Sequence, residues 1–293
     1  MLRGSIVALI TPMHDSGDID WPALQRLVEW HLQHGTHGIV PMGTTGESAT
    51  LNVQEHLSVI QRTIEWVAGK IPVIAGTGAN ATAEAIELTR RAKDLGADAC
   101  LLVTPYYNRP TQEGLYRHYT NVAESVDIPQ ILYNVPARTG CDLLPETILR
   151  LASMPNIVAV KEASGEVARV STILQSCPED FVVLSGEDAK TFEMMKLGAS
   201  GTISVTANVL PAEMAQFCQY MLEAEIALAE KLDAALQKMH EILFIESSPS
   251  PTKWALHEMG MIETGIRLPL LPLSEKFRPE LIKRLRAAGA LQI

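Results

Sequence analysis

Eight short apolar runs, rich in β-branched residues and closed by turn-forming residues, limit what this chain can fold into. They cover residues 5–11, 38–42, 71–75, 99–103, 130–133, 157–161, 181–184 and 201–205. Runs of this length between turn signals read as strands. They do not alternate apolar with polar, so both faces of each strand need cover, as in a parallel sheet. Helix-length segments fill the intervals. Asp20 stands as N-cap before Trp21-Pro22, with proline near the first helical position. Asn52 with Glu55 three residues later reads as a capping box. Residues 82–95 mix Ala, Ile and Leu with charge, and Gly96 stops them. Each remaining interval is expected to hold one helix. Eight such units within about 225 residues match a (β/α)8 TIM barrel; a doubly wound open sheet is the alternative. Residues 1–224 are therefore expected to form the barrel. Segments 226–244, 254–259 and 279–288 read as helices, so residues 225–293 are expected to be a helical extension packed on it.

Composition narrows the class of function. With 47% hydrophobic and 20% charged residues, the chain is too apolar for disorder. Cys100, Cys141, Cys177 and Cys218 are widely spaced with no CxxC, so they are expected to be reduced thiols. His31, His34 and His37 form no HExxH pattern, and no metal is expected. No run approaches the ~18 apolar residues of a membrane span. The first residues lack a long apolar leader with a small-residue cleavage site, so the expectation is a cytoplasmic protein without a membrane partner. A net charge of -10 with no basic run argues against nucleic acid as a partner. A small anionic substrate stays open, because a pocket can be locally positive on an acidic protein.

Barrel enzymes carry their chemistry at the carboxyl ends of the strands. Polar residues collect there in this sequence: Gly43-Thr44-Thr45-Gly46 after the second strand, Tyr133-Asn134 and Arg138 after the fifth, and Lys161 at the end of the sixth. Lys161 closes an apolar run and is the one lysine within an expected strand. Lysine is rarely buried, and burial disfavours its charged form. A neutral amine can attack a carbonyl and form a Schiff base. The alternative is a strand-end lysine that snorkels to water. Adjacent parallel strands lie ~4.8 Å apart, so Tyr133 can reach the same substrate atom as Lys161 and exchange a proton with it. Arg138 can hold a carboxylate bidentately. The two threonines and their N–H groups, set just before a helix, are expected to form an anion-binding nest. Gly76-Thr77-Gly78-Ala79-Asn80-Ala81 fits GxGxxA, but a lone match is weak, and an ordinary βα turn is the better reading.

Gly43-Thr44-Thr45-Gly46-Glu47, Tyr133-Asn134-Val135-Pro136 and Val160-Lys161-Glu162-Ala163 resemble signatures of the dihydrodipicolinate synthase / N-acetylneuraminate lyase superfamily. Thr104-Pro105-Tyr106-Tyr107-Asn108 and Arg138-Thr139-Gly140 resemble its dihydrodipicolinate synthase branch. The resemblance runs over nearly the whole chain. It implies a class I aldolase-type condensation with no cofactor, in which pyruvate and aspartate 4-semialdehyde give 4-hydroxy-tetrahydrodipicolinate, the first committed step of lysine and diaminopimelate biosynthesis. Lys161 would form the Schiff base. Tyr133, Thr44 and Tyr107 would relay protons, with Tyr107 reaching across from a neighbouring subunit. Thr45, Gly186 and Ile203 would line the pyruvate pocket, and Arg138 would receive the semialdehyde carboxylate. The assembly implied is a homotetramer of two tight dimers. A lysine cleft is implied at Ser48, Ala49, His56, Asn80, Glu84 and Tyr106.

Three positions depart from that pattern. Ala137 replaces a glycine, Ser248 replaces an amide near the semialdehyde end, and Val53 stands where strongly inhibited members often carry histidine. Weak or absent feedback by lysine is therefore expected. Two alternatives remain: a pyruvate-dependent lyase acting on a sialic acid or keto-deoxy sugar acid, and a catalytically silent barrel used for binding.

Overall fold

The computed structural model describes residues 2–291; Met1, Gln292 and Ile293, the last two within the expected extension, lie outside them. Eight strands form one sheet: β1 (Gly4–Ala8), β2 (Gly38–Val40), β3 (Ile74–Gly76), β4 (Ala99–Val103), β5 (Gln130–Asn134), β6 (Ile157–Glu162), β7 (Val182–Ser185) and β8 (Gly201–Ser204). Their order is β2-β1-β8-β7-β6-β5-β4-β3, and every pairing is parallel. A parallel bridge from Ile39 to Val73 closes the ring between β2 and β3. The expected (β/α)8 barrel is thus the fold, and the open doubly wound alternative is not.

Side chains alternate across the barrel wall. Ile131, Tyr133, Ala159, Leu184 and Ile203 belong to an apolar cluster inside the ring, whereas Leu132, Val160 and Val183 pack in a second cluster against the helices. This two-sided burial explains the continuous apolar runs.

The helical layer opens as expected. In α1 (Trp21–Gln33) Asp20 accepts from the Ala23 N–H at 2.9 Å. In α2 (Val53–Val67) Asn52 and Glu55 complete the capping box with two 3.0 Å bonds. The helices α3 (Thr82–Asp94) and α4 (Gln112–Ser125) follow β3 and β4.

Strand ends differ from expectation where a ladder donor is missing or taken. β2 stops at Val40 because Pro41 has no N–H to give. β3 starts only at Ile74: Pro72 has no N–H, and the Val73 N–H donates to Asp98 Oδ2 at 2.8 Å. The interval after β5 holds two helices rather than one, α5 (Pro136–Thr139) and α6 (Pro145–Leu151). Gly140, at φ 68°, ends the first and Pro145 restarts the chain. The next two intervals carry only the six-residue helices α7 (Arg169–Leu174) and α8 (Thr191–Lys196).

After β8 come α9 (Pro211–Leu222), α10 (Ile226–Ile242), α11 (Ser250–Glu258) and α12 (Arg278–Ala287). α10 packs on α9 and α12, and α11 packs on α12 and on the turn that follows β8. α11 starts four residues before the expected position, because Ser250-Pro251 opens the helix instead of breaking it. No helix among the described residues is long and apolar enough to cross a membrane.

Candidate active site

β6 alternates Ala159 inward, Val160 outward and Lys161 inward, and so carries the lysine into the barrel mouth. Lys161 is only 5% exposed. Its register partners are Tyr133 on β5 and Leu184 on β7. Its Nζ lies 4.3 Å from the centroid of the Tyr133 ring. It has no carboxylate or other hydrogen-bond partner among the described residues. Gly186 follows β7 and faces the lysine stem closely: a Cβ there would fall 2.9 Å from Lys161 Cε. The neighbouring Glu162 points the other way. It accepts from the Ser164 N–H at 2.6 Å and the Asn134 amide at 3.2 Å, and burial raises its pKa. Lys161 therefore sits as an unpaired amine in an apolar collar beside a phenol, the arrangement a carbonyl-attacking nucleophile requires. Ile203 stands fully buried on the inner face of β8.

Thr44 and Thr45 lie in a run of turns between β2 and α2. The Gly46 N–H donates to Gly43 O and the Glu47 N–H to Thr44 O, both at 3.1 Å, and Thr11 Oγ1 donates to Gly46 O at 2.7 Å. The Thr44 and Thr45 N–H groups make no hydrogen bond with the described residues. They remain available to an anion, but the expected helix terminus behind them is not there. α2 begins only at Val53, and its own capping box uses the end donors. The nest thus rests on turn geometry alone.

Arg138 projects from α5 and lines a cavity of about 290 Å³ together with Thr44, Val135 and Thr139. Ser48, Ala49, His56, Glu84 and Tyr106 line the same cavity, as does Val53 at 45% exposure. Asn80 is not on its wall, but its amide donates to Tyr106 O at 3.2 Å. His56 Nε2 meets Gly76 O at 2.7 Å, and burial lowers its pKa. The cavity stops short of Lys161 and Tyr133, so it is a vestibule that shares a wall with the nest.

Tyr107 stands apart from this group. It is 90% exposed, with φ 74° in the left-handed region. Holding a bulky residue there strains the backbone. Ala137 is exposed beside Arg138. Ser248 is buried and its hydroxyl has no partner among the described residues.

The GxGxxA glycines serve packing. A Cβ at Gly76 would lie 2.1 Å from Met42 O, and one at Gly78 would lie 2.3 Å from the Val103 nitrogen. His31 is buried against Thr36 and belongs to no ligand group. Among the described residues the one group with metal-like spacing is His14, Asp20 and Glu263. It lies at the α1 N-terminus, where Asp20 already serves as the helix cap.

Sequence reasoning passed over one buried residue near the nest. Lys253 on α11 is as deeply buried as Lys161, but it is paired with Glu47. It sits in a proline-rich stretch with no strand pattern to mark it.

The sequence matches the profile described as the Dihydrodipicolinate synthetase family over residues 1–288. It is 56% identical over 293 residues to a 4-hydroxy-tetrahydrodipicolinate synthase of Alcanivorax borkumensis, with 100% of both chains covered. It is 58% identical to the enzyme of that name from Methylococcus capsulatus, covering 99% of this chain and 100% of that one. Among solved structures, the chloride-inhibited dihydrodipicolinate synthase of Acinetobacter baumannii complexed with pyruvate superimposes with a TM-score of 0.98 at 53% identity, covering 99% of this chain and 100% of that one.

Proposed function

The chain belongs to the dihydrodipicolinate synthetase family, and we infer that its barrel condenses pyruvate with aspartate 4-semialdehyde to give 4-hydroxy-tetrahydrodipicolinate. The observation that carries this reading is Lys161, a buried amine with no salt-bridge partner among the described residues, held beside Tyr133 at the mouth of the barrel.

The Lys161 amine attacks the C2 carbonyl of pyruvate, and the carbinolamine loses water to leave an imine. The collar of Leu184, Ala163 and Gly186 confines the lysine stem and keeps its amine beside the Tyr133 ring. The pyruvate carboxylate is held by the Thr44 and Thr45 N–H groups, with the Ile203 backbone lining the pocket. Loss of a methyl proton turns the imine into an enamine, whose carbon bonds to the aldehyde carbon of the semialdehyde. The alkoxide formed takes up a proton. The semialdehyde amine then adds to the imine carbon and expels Lys161, which closes the ring and frees the enzyme. Tyr133 and Thr44 carry the protons between these steps. Arg138, at the vestibule wall, receives the semialdehyde carboxylate as a bidentate partner.

Tyr107 completes the relay from a neighbouring copy of the chain. Its 90% exposure and strained backbone support that role, because a tyrosine held outward at a cost has use outside its own barrel. The assembly is a homotetramer of two such dimers, and the enzyme works in the cytoplasm as part of amino-acid biosynthesis. The vestibule walls at Ser48, Ala49, His56, Glu84 and Tyr106, with Asn80 behind them, form a lysine cleft that Val53 leaves poorly suited to lysine.

Borohydride reduction in the presence of pyruvate tests the reading. A pyruvate adduct should appear on the peptide that holds Lys161; its absence would defeat the Schiff-base mechanism. Turnover with aspartate semialdehyde, and none with sugar-acid aldehydes, then fixes the second substrate.

A further inference from the structure

Two lysines among the described residues are at least 95% buried, and the second has a different task from Lys161. Lys253 is 4% exposed, and its Nζ donates to Glu47 Oε1 at 2.5 Å. Glu47 is itself 2% exposed. Its other oxygen accepts the backbone N–H of Arg267 at 3.2 Å. The Arg267 guanidinium donates to Glu55 at 2.6 and 2.8 Å and to Thr50 O at 3.1 Å. Two cations and two carboxylates thus form a closed neutral cluster. It joins the turns after β2 to a segment more than two hundred residues away.

A buried ion pair is a poor device for stability, because desolvation offsets most of its attraction. Its strength lies in fixing direction. Glu47 directly follows the Gly43-Thr44-Thr45-Gly46 turn, and its N–H closes that turn onto Thr44 O at 3.1 Å. Its φ of 59° is a left-handed conformation that a non-glycine residue keeps only under constraint. Lys253 and the Arg267 N–H supply that constraint from the far side. No helix end stands behind the nest, so the aim of its free N–H groups depends on this turn holding its shape.

We propose that Glu47, gripped by Lys253 and the Arg267 N–H, is a positioning residue that aims the Thr44 and Thr45 N–H groups at the carboxylate of the keto-acid substrate. Glu47 touches no substrate and acts only through the turn it anchors. The proposal rests on the Schiff-base reading of the site.

Two variants test it beside the parent enzyme. Glu47→Gln with Lys253→Met removes both charges at similar volume. Glu47→Asp keeps both charges, and so keeps the fold if the double variant does not, but draws the carboxylate back by one methylene. In folded variants the KM for pyruvate should rise about tenfold or more, the size of one lost charge-assisted hydrogen bond. The kcat at saturating pyruvate should fall much less, the KM for aspartate semialdehyde should stay near the parent value, and borohydride should still trap pyruvate on Lys161. A folded Glu47→Asp enzyme with the parent's pyruvate KM overturns the proposal, as does a loss confined to melting temperature or to kcat. A parent enzyme that forms no Lys161 adduct defeats the function reading and this proposal with it. A parent that forms the adduct beside folded variants with unchanged pyruvate KM defeats this proposal alone.

Discussion

Gly186→Ala adds one methyl group where the site has least room. That carbon would lie 2.7 Å from Ala163 Cβ, 2.9 Å from Lys161 Cε and 3.1 Å from Lys161 Cγ. Carbon atoms pack best at about 3.5–4.0 Å, so the lysine stem must retreat by roughly 1 Å. Gly186 is not in a left-handed conformation, so the cost comes from space and not from backbone strain. Overpacking of this kind destabilises a core by about 1–3 kcal/mol, which a domain of this size survives. The catalytic effect should be larger, because displacing a reacting group by about 1 Å costs on the order of a hundredfold in rate. That corresponds to about 2.7 kcal/mol of lost transition-state stabilisation. The assay is kcat/KM for pyruvate at fixed semialdehyde, with the rate of borohydride trapping on Lys161 and a thermal melt alongside. Trapping should slow together with turnover, since both need the same amine in the same place. A folded Gly186→Ala enzyme with nearly unchanged kcat/KM would refute the claim that Gly186 sets the position of Lys161.

Acid should weaken the fold well before the carboxylates titrate. Burial lowers the pKa of His31 to about 3 and that of His118 to about 4, and each has an Nε2 with no partner among the described residues. Above about pH 6.5 both are neutral folded and unfolded, so they contribute nothing; below it the unfolded chain takes up protons that the folded chain refuses, and stability falls until the folded pKa values are reached. Each histidine should cost about 1.4 kcal/mol per pH unit in that window, so urea unfolding at pH 7.5 and 5.5 should differ clearly, and equal midpoints would count against the burial argument. Lysine should inhibit weakly or not at all, because Val53 offers the vestibule an apolar surface where a hydrogen-bonding side chain would be needed; inhibition at micromolar lysine would sink this.

The barrel was legible because its signals are local. A strand buried on both faces must be apolar throughout, and β4 falls on the expected residues 99–103. Asp20 and Asn52 reveal helix starts because a cap bonds to its own helix. The strand ends were harder to read. β3 is shortened by Asp98, a side chain 25 residues away that takes the Val73 N–H, and no window around residue 73 contains it. The start of α11 was missed because proline both opens and breaks helices, and only packing decides which.

Within the site, visibility followed the same division. Lys161 stood out as an exception, a charge at the end of an apolar run, and exceptions need no partner to be seen. The sequence set the nest just before a helix, since Gly43-Thr44-Thr45-Gly46 looks like a loop leading straight into one, whereas turns continue to the start of α2 at Val53. In the proposed arrangement the nest's support comes from Lys253, 206 residues along the chain from Glu47. Neither partner is unusual by itself: a glutamate follows a turn, and a lysine follows two prolines. Their meaning appears only when folding buries both and leaves each as the other's neutralising charge. That requirement ties α11 to the turns after β2. If α11 shifts, Glu47 loses its anchor, and the first consequence should be a poorer grip on a substrate carboxylate rather than a loss of the Lys161 amine. On the proposed role of Glu47, α11 would serve substrate binding from a distance, although none of the substrate-binding positions expected from the sequence lies on α11.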